Sequence, residues 1–123
     1  VTLLLVALAG GLGAALRFGV DGEIRARVPR HLPVSTIVVN VTGSAVLGAL
    51  AAAHVQGLLP ATVYVAAATG FCGGYTTFST SMFETVRLAQ AGAYRLAVGN
   101  AALTLVLAVA AAAVGYGVVS AVG

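Results

Sequence analysis

Gly70-Phe71-Cys72-Gly73-Gly74-Tyr75-Thr76-Thr77-Phe78-Ser79-Thr80-Ser81 sits inside an uncharged stretch that runs from Val55 to Phe83. Three glycines and five Ser or Thr hydroxyls fall in these twelve residues. A Gly in a helix interior costs up to about 1 kcal/mol relative to Ala, and Ser and Thr side chains offer the backbone competing hydrogen bonds. The spacing predicts a helix that breaks near residues 73–77. Lipid cannot satisfy freed N–H and C=O groups, so irregular backbone at membrane depth must be buried in protein or line a wet cavity. The end of one half-helix then exposes carbonyls to a cation, and the start of the next exposes N–H groups to an anion. The plainer alternative is that Gly70 and Gly74, four apart, let another helix approach closely while the hydroxyls bond back to carbonyls. The density of helix-breaking residues favours the break.

The rest of the chain sets this segment in a membrane. Of 123 residues, 60% are hydrophobic and 7% charged, with mean hydropathy +1.06, whereas a soluble domain carries about 25% charged residues. A span needs roughly 20 mostly apolar residues. Four candidates appear: residues 2–20, 32–54, 58–86 with the break, and 94–120. The fold class expected is therefore an all-α integral membrane protein, with residues 1–123 forming a single four-span domain surrounded by membrane lipid. The first run lacks a basic start, and Gly10, Gly11, Gly13 and Arg17 interrupt it, so it reads as a span and not as a cleavable leader.

Six Arg, no Lys and three acids give a net charge of +3, which in a membrane chain speaks to orientation and not to nucleic acid. Arg25, Arg27, Arg30, Arg87 and Arg95 all fall on the side opposite both termini and the turn from His54 to Pro60. The positive-inside rule then puts these connections in the cytoplasm and both termini outside, in the cell's inner (plasma) membrane.

Several polar residues interrupt the apolar runs. Asn40 must find a partner across a helix interface or face a pore, where its amide would donate to an anion. Thr36 and Gly43 share its helical stripe. Asn100 and Thr104 form a second stripe, read as part of the same wet path. Arg17 either snorkels as an anchor or draws anions at a pore mouth. The ring edge of Phe78 is positive and can meet a bare anion. Ser79 and Thr80 bring hydroxyls to the same place. Ser81-Met82-Phe83-Glu84 has the form of a capping box, giving Glu84 a structural task. Cys72 reads as a packing residue, His31 and His54 as flanking residues, and Tyr64, Tyr94 and Tyr116 as interface anchors.

Three segments together resemble the CrcB/Fluc family of fluoride channels: Gly10-Gly11-Leu12-Gly13-Ala14-Ala15-Leu16-Arg17, Pro33 to Asn40 with Gly43, and Gly70 to Thr80. The resemblance implies an antiparallel dimer with two narrow fluoride pores and a structural sodium ion at its centre. By matching positions, the backbones of Gly73 and Thr76 would hold the sodium, Asn40 would line the pore and Phe78 would turn its ring edge to fluoride. From the residues themselves, Ser79, Thr80, Asn100 and Thr104 read as further pore lining, with Arg17 at the pore mouth or as an anchor. The implied activity is passive export of fluoride, which relieves its toxicity. Ser81 stands where the family usually carries a second aromatic. The one-sided Arg distribution favours pairing with an oppositely oriented paralogue over a homodimer. A small proton-coupled exchanger would need an intramembrane carboxylate, yet Asp21, Glu23 and Glu84 all lie near span ends. A purely structural assembly subunit is a further alternative. No cluster of His, Cys or carboxylate suggests an enzyme.

Overall fold

A computed structural model describes residues 1–29 and 32–123; the loop charge Arg30 and the flanking residue His31 lie outside the described residues. The described residues are all helical, with no strand among them. Helix α1 spans Thr2–Arg27 and α2 spans Val34–Val55. The third crossing is assembled from α3 (Ala61–Val65), a π-helical segment (Ala66–Cys72), α4 (Gly73–Tyr75) and, after a non-helical link, α5 (Ser79–Gln90). Helix α6 (Tyr94–Val122) closes the chain. Helices α1, α2 and α6 are each long and apolar enough to cross a membrane, while the third crossing is too interrupted for any one of its pieces to do so.

Helix α1 runs past the expected end near residue 20. Arg25 pairs with Asp21 at 2.9 Å and Arg27 with Glu23 at 3.2 Å, each one turn apart. Such pairs support helix beyond the apolar run. Helices α2 and α5 stop at Gly57 and Gly92, which take φ of +76° and +80°. Leu58 N–H donates to Ala53 and Ala93 N–H to Leu88, the paired closure that satisfies terminal carbonyls after a left-handed glycine.

The break falls at residues 76–78, later than the 73–77 expected, because the glycines serve packing. A Cβ on Gly74 would run into the carbonyl of Gly10, one on Gly70 would lie 2.8 Å from the carbonyl of Val6, and one on Gly13 would meet Phe71 and the Tyr75 nitrogen. Gly70 and Gly74 are pressed along α1, the helix continues through Gly73–Tyr75, and the chain turns only at Thr76, whose ψ of 161° is extended. Close contact and break coexist in one segment.

The Ser81–Glu84 capping box does not form. Helix α5 begins at Ser79, and the hydroxyl of Thr77 accepts from the Thr80 N–H at 3.2 Å. Because the backbone becomes extended at Thr76, the first uncommitted N–H groups follow Thr77, which serves as the cap in place of Ser81. Glu84 turns instead to Arg25 of α1, 3.5 Å away.

On the other side of the bundle α2 packs against α6, where a Cβ on Gly48 would strike Ala112 and one on Gly115 would strike Ala45. Val39 and Ala52 of α2 are buried, whereas Leu3, Leu8, Leu12 and Phe18 face outward. An outward apolar surface of this extent suits lipid as the solvent.

Candidate functional site

The non-helical link frees peptide groups in the middle of the third crossing, and side chains from α1 and α2 take them up. Asn40 Nδ2 donates to the Thr77 carbonyl at 2.8 Å, and the Thr77 N–H donates to Asn40 Oδ1 at 2.8 Å. One buried amide thus satisfies both backbone groups of one residue. Arg17 Nη1 donates to the Thr76 carbonyl at 3.2 Å. The guanidinium is directed into the protein, toward the break. Gly43 makes room for the link: a Cβ there would collide with the Thr76 methyl and sit 3.0 Å from the Tyr75 ring.

Two cavities flank this link. One, of about 370 Å³, is bordered by Asn40, Ser44, Thr76, Thr77, Phe78 and Thr104 among others. The other, of about 250 Å³, is bordered by Arg17, Asp21, Thr36, Thr77 and Thr80. Thr77 borders both. Asn40 therefore does two things at once: it makes an interhelical bond and lines a cavity, with a second Nδ2 hydrogen still available. Thr36 and Asn40, expected on one stripe, border different cavities.

Phe78 is 78% exposed on the outer face of the single chain, and Ser79 is exposed beside it. Thr80 is half-buried, its hydroxyl 3.2 Å from that of Thr77. Thr104 joins Asn40 at the larger cavity, but Asn100 does not. The Asn100 amide donates to Thr85 Oγ1 at 2.8 Å and borders an apolar pocket with Ile37, Leu88 and Leu103. The second polar stripe is thus divided between two places.

Gly73 lies on the exposed face, where an added methyl would meet nothing of its own chain within 4 Å. Its carbonyl is near the end of α4, and the N–H that would bond it in a continuing helix, that of Thr77, goes to Asn40. Thr76 offers a carbonyl with one lone pair committed to Arg17 and one left. These are neutral, hard oxygen donors, the type an alkali cation takes; among the described residues no group of His, Cys, Asp or Glu is placed to hold a metal. Gly73 fits such an ion freely. Thr76 fits through its second lone pair, with a guanidinium close by.

Three contributors escape a reading of sequence alone. Thr77 anchors the break on both of its backbone groups, and its only signal is a hydroxyl three residues before Thr80. Asp21 accepts from Arg25 and from the hydroxyl of Ser35. Arg25 reaches on to Glu84, so the C-terminal part of α1, the start of α2 and the middle of α5 are tied together. The one-turn spacing of Asp21 and Arg25 is a usable signal, whereas the cross-helix contacts have none.

Comparison with known proteins sets these features in a family. The family model described as CrcB-like protein, Camphor Resistance (CrcB), matches residues 4–116. A protein of Nocardia farcinica named fluoride-specific ion channel FluC 1 is 46% identical over 111 residues, covering 90% of this chain and 75% of the relative. A protein of the same name from Leifsonia xyli subsp. xyli is 47% identical over 113 residues, covering 92% and 82%. From Mycolicibacterium paratuberculosis, a protein named fluoride-specific ion channel FluC 2 is 45% identical over 113 residues, covering 89% and 87%.

Proposed function

The chain belongs to the CrcB family of multi-pass membrane proteins, and on that premise we propose that it is a subunit of a passive, fluoride-selective channel through which the ion leaves the cytoplasm. The observation that carries this reading is the reciprocal pair between Asn40 and Thr77, which holds a break open beside a cavity without leaving its peptide groups bare. The relatives' names supply the ion.

Stripping a small anion of water in an apolar medium costs tens of kcal/mol. Fixed donors must replace the lost shell. Here the second amide hydrogen of Asn40, the hydroxyls of Ser79, Thr80 and Thr104 and the ring edge of Phe78 would take that part. Arg17 adds a positive charge at the cavity that it borders with Thr36, Thr77 and Thr80, which would draw an anion there. Asn100 stands one turn from this path and holds α6 against α5. Transport is passive because every acid is engaged by an Arg: Asp21 and Glu84 by Arg25, and Glu23 by Arg27. A proton-coupled exchanger would need a carboxylate free to change its charge within the membrane.

The exposed backbone at Gly73 and the exposed Phe78 and Ser79 would lie bare to lipid in a lone subunit, which argues for a partner across that face. In an antiparallel dimer the carbonyls of Gly73 and Thr76 would hold a structural sodium. When bound, the ion would supply the charge that ties opposed carbonyls together. The Arg-rich side of this chain, read as cytoplasmic with both termini outside, favours an oppositely oriented paralogue over a second copy. Relatives numbered both 1 and 2 suit that reading.

The test is fluoride release from liposomes followed by a fluoride electrode, with the chain alone and with its paralogue. Release from the pair at many times the rate of empty liposomes, with chloride retained, is expected. Equal release of chloride would contradict the selectivity, and full activity of the chain alone as a homodimer would contradict the pairing.

A further inference from the structure

Ser81 and Thr104 each carry a buried hydroxyl oxygen that has no partner among the described residues, and Ser81 as a whole is 2% exposed. Buried hydroxyls left unpaired are rare, and each calls for an explanation. Their relative placement follows from the way α5 meets α6. The two helices form a hairpin joined by residues 91–93, and the amide of Asn100 donates to Thr85 Oγ1 at 2.8 Å, which fixes their register. One turn further from the connection, Ser81 lies four residues before Thr85 and Thr104 four residues after Asn100. Antiparallel packing brings these two opposite each other. Both border the cavity of about 370 Å³ that Asn40 and Thr77 also border.

We infer that Ser81 and Thr104 form a two-hydroxyl subsite for a small hard anion, one helical turn along α5 from the break. The inference rests on the channel reading and extends it to a residue that reading leaves idle. A hydroxyl rotates freely about its C–O bond, so both O–H groups can turn their hydrogens to one ion. Hydrogen bonds to a charged acceptor are about twice as strong as neutral ones, so an anion stabilises this arrangement more than a water does. The Asn100–Thr85 bond is the brace that keeps the two hydroxyls in register, and Asn100 itself does not touch the ion.

Initial rates of fluoride release from liposomes, with the paralogue co-reconstituted, test this with Ser81→Ala, Thr104→Val and the double variant. Each single substitution is expected to slow release about tenfold, the loss expected for one hydrogen bond to a charged group. The double variant is expected to be no slower than the slower single one, since both hydroxyls serve one ion. Single variants that release fluoride at the wild-type rate overturn the subsite, and so does a double variant whose loss is the product of the single losses. Unchanged thermal unfolding shows that the variants fold, and Thr104→Ala offers a second way to remove the α6 hydroxyl if Thr104→Val does not assemble. A wild-type pair that releases no fluoride overturns the channel reading and the subsite with it, a result distinct from variants matching an active wild type.

Discussion

At the scale of residues, Asn40 and Thr77 form the pair on which the break most depends. Removing the amide leaves a buried N–H and C=O unpaired at once, each costing about 1–3 kcal/mol. Asn40→Ala is therefore expected to lower stability by about 2–6 kcal/mol on these figures, seen as an earlier thermal unfolding transition in detergent. Thr77→Val should cost less, about 1 kcal/mol for a lost cap, because the backbone bonds to Asn40 survive. A larger loss for Thr77→Val than for Asn40→Ala would reverse this order of importance. Asn40 is legible in the sequence as a polar residue in an apolar run, but whether it meets a partner or a pore is not. The answer lies with Thr77, thirty-seven residues away, and no local pattern links the two.

The helical elements show why sequence predicts the break but puts it too early. Glycine is intrinsically a helix breaker. In the bundle Gly70 and Gly74 serve close approach to α1, and that packing outweighs propensity, so the chain breaks at the hydroxyl residues that follow. The π-helical turn from Ala66 to Cys72 has no signature in composition or periodicity. It inserts an extra residue per turn just before the break and so helps to set which side chains face α1. Two neighbouring glycines separate these roles. Gly74→Ala drives a methyl into the backbone of Gly10 and is expected to destabilise the subunit by about 1–3 kcal/mol. Gly73→Ala meets nothing within its own chain, so thermal unfolding of the isolated subunit should be unchanged while association with the partner weakens, as read by size-exclusion chromatography. Equal destabilisation of the subunit by both would show that the exposed face of α4 is not reserved for a partner. The Ser81 cap is absent for a related reason: helix α5 starts where the backbone leaves its extended link, and sequence spacing alone does not reveal that point.

At the scale of the whole molecule, the membrane class and the order of crossings are plain from hydropathy, because lipid dictates both length and apolar content. The proposed orientation rests on Arg alone. Gln56→Cys is expected to react with a membrane-impermeant maleimide in intact cells, and Ala91→Cys only after the cells are opened. The native Cys72 is buried and adds no background. Reaction of both positions in intact cells would contradict a single orientation. The most direct measurement of the central claim is the rate of fluoride release from liposomes holding the wild-type pair or the Asn40→Ala pair at equal protein content. A break held open by Asn40 predicts rapid release with the wild type and near-background release with the variant. Equal rates from the two, or no release from either, would contradict it.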